Sequence, residues 1–174
     1  MILSIGRLTP QKGFDLLVEV AHVVLPQHPT WEWVVLGSGE QEQKLVELAA
    51  ETNVGKQLHF VGNVSDVEQY YRQAAMFVLT SRYEGLPMVL LEAKAHRLPV
   101  VSFDCETGPS ELILDGVNGY LVAEGDCTAM SDCINLLIKN PEERSRFSRS
   151  SMDDTERYHV ENVKRQWQQL LLSI

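Results

Sequence analysis

"MFVLTSRYEGLPMVLLEAKAHRLPVVSFD" occupies residues 76–104. Its first six residues make an apolar run ending in Thr80 and Ser81, the length of a buried strand. The Gly-Leu-Pro at 85–87 then punctuates the chain. From Leu86 to His96 the composition is helical, and Pro87 stands near the first turn, where its missing N–H costs little. "LPVVSFD" is a second apolar run. Strand, turn, helix and strand in this order form the repeating unit of a parallel sheet.

The same alternation extends both ways. "ILSIG" predicts a strand closing on Gly6, and "RLTPQKG" a turn. Phe14, Leu17, Val18, Ala21 and Leu25 recur at helical spacing until Pro26 and Pro29 end the helix. "WEWVVLG" predicts a strand. "EQEQKLVELAAE" predicts a helix with Leu45, Leu48 and Ala49 on one face, and "QLHFVG" a third strand. Asp66 is placed to cap a short helix through Tyr71 and Ala75. Downstream, "GPSELILDG" predicts a short helix, "GYLVA" the last strand, and Asp126 to Ile138 a helix. The tail over 156–174 predicts a helix whose Val160, Val163, Trp167, Leu170 and Leu171 share one apolar face. Six strands, apolar nearly throughout, describe an α/β Rossmann-like doubly wound parallel sheet with helices on both faces. Residues 1–174 read as a single domain, and Met1 leading straight into a strand suggests a cut within a longer protein, although a natural start would look the same.

Composition sets further bounds. The chain is 44% hydrophobic and 22% charged, as expected for a folded globular domain. A net charge of -9 argues against non-specific binding of nucleic acid or an anionic membrane. The 3 cysteines (Cys105, Cys127 and Cys133) form no Cys-x-x-Cys pair, which argues against a disulfide framework and for a reducing cytoplasm. The 5 histidines show no metal-ligand spacing, so no metal is expected.

Ligands of such sheets bind beyond the carboxyl ends of the strands. The strand-to-helix turns are therefore the informative residues. In "GRLTPQKG", Gly6 permits a tight turn, and Arg7 and Lys12 lie just before a helix N-terminus. That setting suits a phosphate or diphosphate, although two solvated surface cations would look the same. "GSGE" at 37–40 opens like a dinucleotide fingerprint, but Glu42 stands where the third glycine belongs, and a plain tight turn explains it equally. The backbone of "GNVSD" at 62–66 could face a flat base. Glu84 and Glu92 are two carboxylates eight positions apart. A continuous helix would separate them by roughly 12 Å, too far to act together on one glycosidic bond but suited to the two ends of a longer ligand. A solvated helix face also accounts for Glu92, though the apolar Leu90, Leu91 and Ala93 around it argue for shielding. The fifth turn, "FDCETGPSE", is long enough to close over a ligand, and solvent-facing polarity would also explain it.

These turns together resemble the C-terminal, donor-binding domain of GT-B glycosyltransferases, family 4, group 1. "GRL…KG", "EGLPMVLLEA" and "GPSELILDGVNGYLV" carry the resemblance, in the family's order and over nearly the whole chain. It implies that Arg7 and Lys12 grip the donor diphosphate and that Glu84 faces the donor sugar, making these three the expected catalytic residues. It further implies that Gly6, Gly85, Leu86 and Pro87 shape the donor site, that Asn63 and Val64 receive the base, and that Glu92 bonds the ribose. The implied partner is a nucleotide-diphosphate sugar, most often a UDP-hexose, used without metal or other cofactor in retaining transfer. Polysaccharide or lipopolysaccharide-type glycans are the implied products, and the cytoplasm the implied location. The resemblance also implies an N-terminal acceptor domain, for which this length has no room, binding a glycan or lipid-linked acceptor. The tail helix would pack back toward that domain, and no nucleic acid or direct membrane contact is implied. The family commonly ends the helix before the fifth strand with a small residue and a glycine in a left-handed cap. Here His96 and Arg97 stand there, so a differently built end is expected. A nucleotide-sugar epimerase, a phosphorylase or a non-catalytic nucleotide-binding module on the same fold are the other readings. The Glu84–Glu92 spacing argues against the first, and the absence of a recognisable pyridoxal-lysine motif against the second.

Overall fold

A computed structural model describes residues 1–153 and 155–172. Its sheet consists of β1 (Ile2–Ile5), β2 (Trp33–Leu36), β3 (Leu58–Gly62), β4 (Met76–Leu79), β5 (Val100–Asp104) and β6 (Gly119–Ala123). All neighbours pair in parallel, in the order β3-β2-β1-β4-β5-β6. The helices are α1 (Phe14–Val24), α2 (Glu42–Glu51), α3 (Glu68–Gln73), α4 (Met88–Ala95), α5 (Pro109–Leu112), α6 (Cys127–Lys139), α7 (Pro141–Ser150) and α8 (Val160–Leu172).

The continuous apolar runs follow from burial on both faces of each strand. Ile2, Trp33, Val35, Met76, Val78, Val101 and Phe103 point into one core with α1, α6 and Phe147 of α7. Leu3, Val34, Leu36, Phe77, Leu79 and Val100 point into the other, with Tyr71 of α3, Leu90 and Ala93 of α4 and Leu112 of α5. One polar residue interrupts β1. Ser4 is buried, and it accepts from the Trp33 indole at 3.0 Å and donates to the Val78 carbonyl at 2.7 Å. Both hydroxyl functions are thus satisfied, which burial requires.

Helix ends refine the sequence reading. Asp126 is the cap of α6 rather than its first residue, accepting the Ala129 N–H at 2.9 Å. The tail is not one helix. Residues 156–158 form a 3-10 turn, α8 covers 160–172, and 173–174 lie outside the described residues. The apolar face of α8 exists, but none of its described residues is buried.

The end of α4 overturns the expected departure at His96 and Arg97. Arg97 has φ 57°, the left-handed conformation a glycine would take. Its N–H donates to the Lys94 carbonyl at 2.8 Å, and the Leu98 N–H to the Ala93 carbonyl at 3.0 Å. That is the same two-bond cap a glycine makes, built by a residue whose Cβ strains it. Arg97→Gly should therefore raise stability by about 0.5–1 kcal/mol, or roughly 2 °C in Tm. Thermal unfolding of the two chains measures this directly.

Candidate functional site

The chain runs outward from β1 to β3, then returns to place β4 on the other side of β1. The crevice above β1 and β4 is the topological switch point, where such sheets bind ligands. Two turns rise there, 6–13 after β1 and 80–87 after β4. They bring together two of the residues singled out above. Lys12 Nζ lies 2.6 Å from Glu84 Oε1, with 16% and 6% of the two side chains exposed. Ser81, itself buried, donates its hydroxyl to the same carboxylate oxygen at 2.6 Å. The Thr107 hydroxyl of the fifth turn donates to the Glu84 carbonyl.

Further bonds lock the two turns. Thr80 donates to the Lys12 carbonyl at 3.1 Å, the Arg82 N–H to the Gln11 carbonyl at 2.8 Å, and the Gln11 amide to the Tyr83 carbonyl at 3.0 Å. Arg82 forks onto both carboxylate oxygens of Asp15 at 2.9 and 2.7 Å. The hydrogen bond from Arg82, before any other cause, holds the Asp15 carboxyl below its ordinary range. A depressed folded-state pKa means that the pair stabilises the fold above the unfolded value near ~4 and loses that contribution as pH falls through the folded one. Asp15→Asn should accordingly flatten the acid limb of stability against pH. Because both partners are about a third exposed, the effect should stay below about 1 kcal/mol. Urea unfolding between pH 3 and 7 resolves it.

Arg7, the other cation of the first turn, is exposed, and no ion pair holds it among the described residues. The glycines of the second turn have a packing explanation. A Cβ on Gly37 would lie 2.1 Å from the Gly6 carbonyl oxygen, and one on Gly39 2.5 Å from that of Leu8. The second turn thus supports the first by backbone contact, and that close approach requires glycine whether or not a phosphate is near.

Glu92 stands apart from this cluster. Leu90 and Ala93 turn inward while Glu92 is exposed, so the expected apolar shielding is absent. Helix α4 begins only at Met88, so the stretch from Glu84 to Glu92 is half turn and half helix, and the continuous-helix separation does not apply. The Tyr71 hydroxyl donates to Glu92 Oε2 at 2.8 Å. Burial, and then that bond, push the Tyr71 phenol far above its usual pKa, so it remains a proton donor and fixes the carboxylate's rotamer. Tyr71 also stacks on His96, ring centroids 4.9 Å apart.

In the third turn the Asn63 amide donates to the Ser38 hydroxyl at 2.8 Å, tying this turn to the second. Val64 is half-buried against the core. Asp66 accepts the Gln69 N–H at 3.2 Å, which bears out its reading as a cap for α3. Gly85 and Leu86 are exposed at the mouth of the crevice, and Pro87 is buried beneath them.

Sequence reading had missed Ser81, Arg82, Thr107 and Tyr71. Ser81 had a local signal, a Ser-x-x-Glu spacing that brings a hydroxyl back onto a carboxylate. Tyr71 and Thr107 had none, being 21 and 23 positions from their partners. Among the described residues no group of three or more His, Cys, Asp or Glu comes together to hold a metal ion. No described helix is long and apolar enough to cross a membrane.

Residues 1–153 match the family model described as glycosyl transferases group 1. The chain belongs to this family. An uncharacterized glycosyltransferase of Haemophilus influenzae is 36% identical over 170 residues, covering 98% of this chain and 48% of that protein. The amylovoran biosynthesis glycosyltransferase AmsD of Erwinia amylovora is 34% identical, covering 98% and 47%. Among solved structures, a Staphylococcus aureus TarM mutant in complex with fondaparinux, alpha-GlcNAc-glycerol and UDP superposes with a TM-score of 0.92 at 29% identity. That match covers 97% of this group 1 chain and 35% of TarM. The group 1 chain thus spans about half the length of these two curated relatives.

Proposed function

We propose that this chain is the donor-binding half of a hexosyltransferase that takes a UDP-sugar and builds a polysaccharide or lipopolysaccharide-type glycan in the cytoplasm. The observation that carries this reading is the meeting of Lys12 and Glu84 at the switch point. A cation for a departing diphosphate and a carboxylate for sugar hydroxyls are held within one hydrogen bond of each other. Arg7, exposed on the same turn as Lys12 and without an ion pair among the described residues, is free to make a second phosphate contact. On donor binding, Lys12 exchanges Glu84 for the diphosphate and releases the carboxylate to the sugar. With two cations supplying the positive charge, the leaving group needs no metal. Glu92, oriented by Tyr71, takes the ribose, and the Asn63–Val64 turn takes the base. Transfer proceeds with retention of configuration.

The longer relatives support an N-terminal half that binds the glycan or lipid-linked acceptor. The exposed apolar face of α8 fits such a partner, with Trp167 59% and Leu171 66% exposed.

Calorimetric titration with UDP, GDP and ADP in buffer containing EDTA tests the donor reading. UDP should bind without metal, and Arg7→Ala should weaken it about tenfold, the worth of one charge-assisted hydrogen bond. Arg7 is the clean probe because its side chain is exposed and holds no ion pair among the described residues. Unchanged affinity in Arg7→Ala would remove the diphosphate assignment, and silence from all three nucleotides would remove the donor site.

A further inference from the structure

A second cavity, of about 500 Å³, opens at the opposite end of the sheet. Its floor includes Ala75 and Pro99, the residues immediately before β4 and β5, so it lies at the amino ends of the strands. The volume falls within the ~300–1,000 Å³ usual for small-molecule sites. Arg72, His96, Arg97 and Arg144 line it, together with the hydroxyl-bearing Ser145 and Ser148, and among the described residues no aspartate or glutamate does. This clustering runs against the composition, since the chain carries 24 acidic residues to 15 basic ones.

Two of the arginines are anchored where they line the cavity. Arg97 occupies a left-handed backbone position where glycine would be less strained, and such outliers gather at functional sites. Arg144 donates to the Leu137 carbonyl and, at 2.9 Å, to that of Ile138, and its guanidinium lies 5.6 Å from the Trp31 ring centroid. Burial lowers the Arg144 pKa, with no carboxylate opposing the shift. Arg72 is partly engaged, its guanidinium 2.5 Å from Glu68 on the surface.

The geometry points to a phosphate-binding site in this cavity, separate from the crevice above β1 and β4, that takes a phosphorylated small molecule or a phospholipid headgroup through Arg97 and Arg144. Guanidinium forks match phosphate oxygens, and the serine hydroxyls add neutral donors. His96, which lines the cavity and stacks on Tyr71, stands at the end of the helix that carries Glu92.

The test is a pyrophosphate titration of the chain, followed by the indole N–H resonance of Trp31 in NMR spectra and assigned with Trp31→Phe. That resonance lies under Arg144 and is remote from Lys12, so a phosphate bound in the other crevice does not move it. Saturable shifts are expected. Arg97→Gly should weaken them about tenfold while leaving the protein at least as stable as before, and Arg97→Lys should retain most of the affinity. Loss of binding in a chain that has become more stable cannot be ascribed to unfolding. A parallel arm uses sedimentation with vesicles of phosphatidylcholine, alone or mixed with phosphatidylglycerol. Binding to the anionic vesicles that Arg97→Gly abolishes identifies a headgroup. Pyrophosphate binding without vesicle binding identifies a free phosphorylated molecule. No Trp31 response and no vesicle binding, or less than a twofold change in Arg97→Gly, overturns the site.

Discussion

Lys12→Ala should destabilise the chain by about 3 kcal/mol, the loss expected when one member of a largely buried ion pair is removed and the other left uncompensated. The reason lies in Glu84. Its side chain is 6% exposed and depends on Lys12 and the Ser81 hydroxyl to balance its desolvation. Neutralising the stranded carboxylate should then recover much of the loss. Lys12→Ala/Glu84→Gln is expected to be more stable than Lys12→Ala alone, and the coupling across the four chains should exceed about 1 kcal/mol. Urea unfolding of wild type, the two single variants and the double variant measures it. A double variant no more stable than Lys12→Ala would mean that the pair is held by the loops rather than holding them. The same cycle bears on nucleotide binding. If Lys12 leaves Glu84 for the diphosphate, Glu84→Gln should free the lysine and not lower the affinity for UDP, whereas Lys12→Ala should lose it.

Gly13→Ala should cost more than about 3 kcal/mol, placing it among the large single-residue effects that strained backbone and overpacking produce. Gly13 has φ +62°, and a Cβ there would stand 2.1 Å from the Thr80 carbonyl oxygen. Neither atom belongs to a flexible side chain, so one of the two turns must move. The turn that moves takes with it either Lys12, one residue away, or Glu84. Loss of UDP binding should therefore accompany loss of stability. Gly85→Ala is the matching control. Its Cβ meets nothing within 4 Å, and its effect on stability should stay within about 0.5 kcal/mol. Similar unfolding midpoints for the two variants would refute the claim that the first and fourth turns are fitted against each other.

The α/β alternation was legible because a strand covered on both faces leaves an unbroken apolar signal, while the helices keep a 3.6-residue period. Six strands, their approximate limits and the turns worth examining could all be read this way. Helix boundaries were less legible, because local propensity does not show where a cap closes. The split of the tail into a 3-10 turn and α8 shows this, as does Asp126 lying outside α6. Arg97 is the sharpest case. Its sequence argued for a different helix end, yet two backbone hydrogen bonds and the burial of Leu98 hold an arginine in glycine's conformation.

The candidate site divides in the same way. Arg7, Lys12, Glu84 and Glu92 stood out by residue type and by their places in turns, which sequence alone displays. That Lys12 meets Glu84 was settled by strand order, since only the return of β4 to the side of β1 brings residues 72 positions apart within 2.6 Å. The exposure of Glu92, its hydrogen bond from Tyr71, and the gathering of Arg97 and Arg144 at the far end of the sheet have the same origin. Composition and period determined which segments pack and which faces they bury. Which side chains then share a crevice depends on how those segments are ordered in space, because electrostatic and hydrogen-bond partners need proximity of a few ångströms, and no local pattern encodes it.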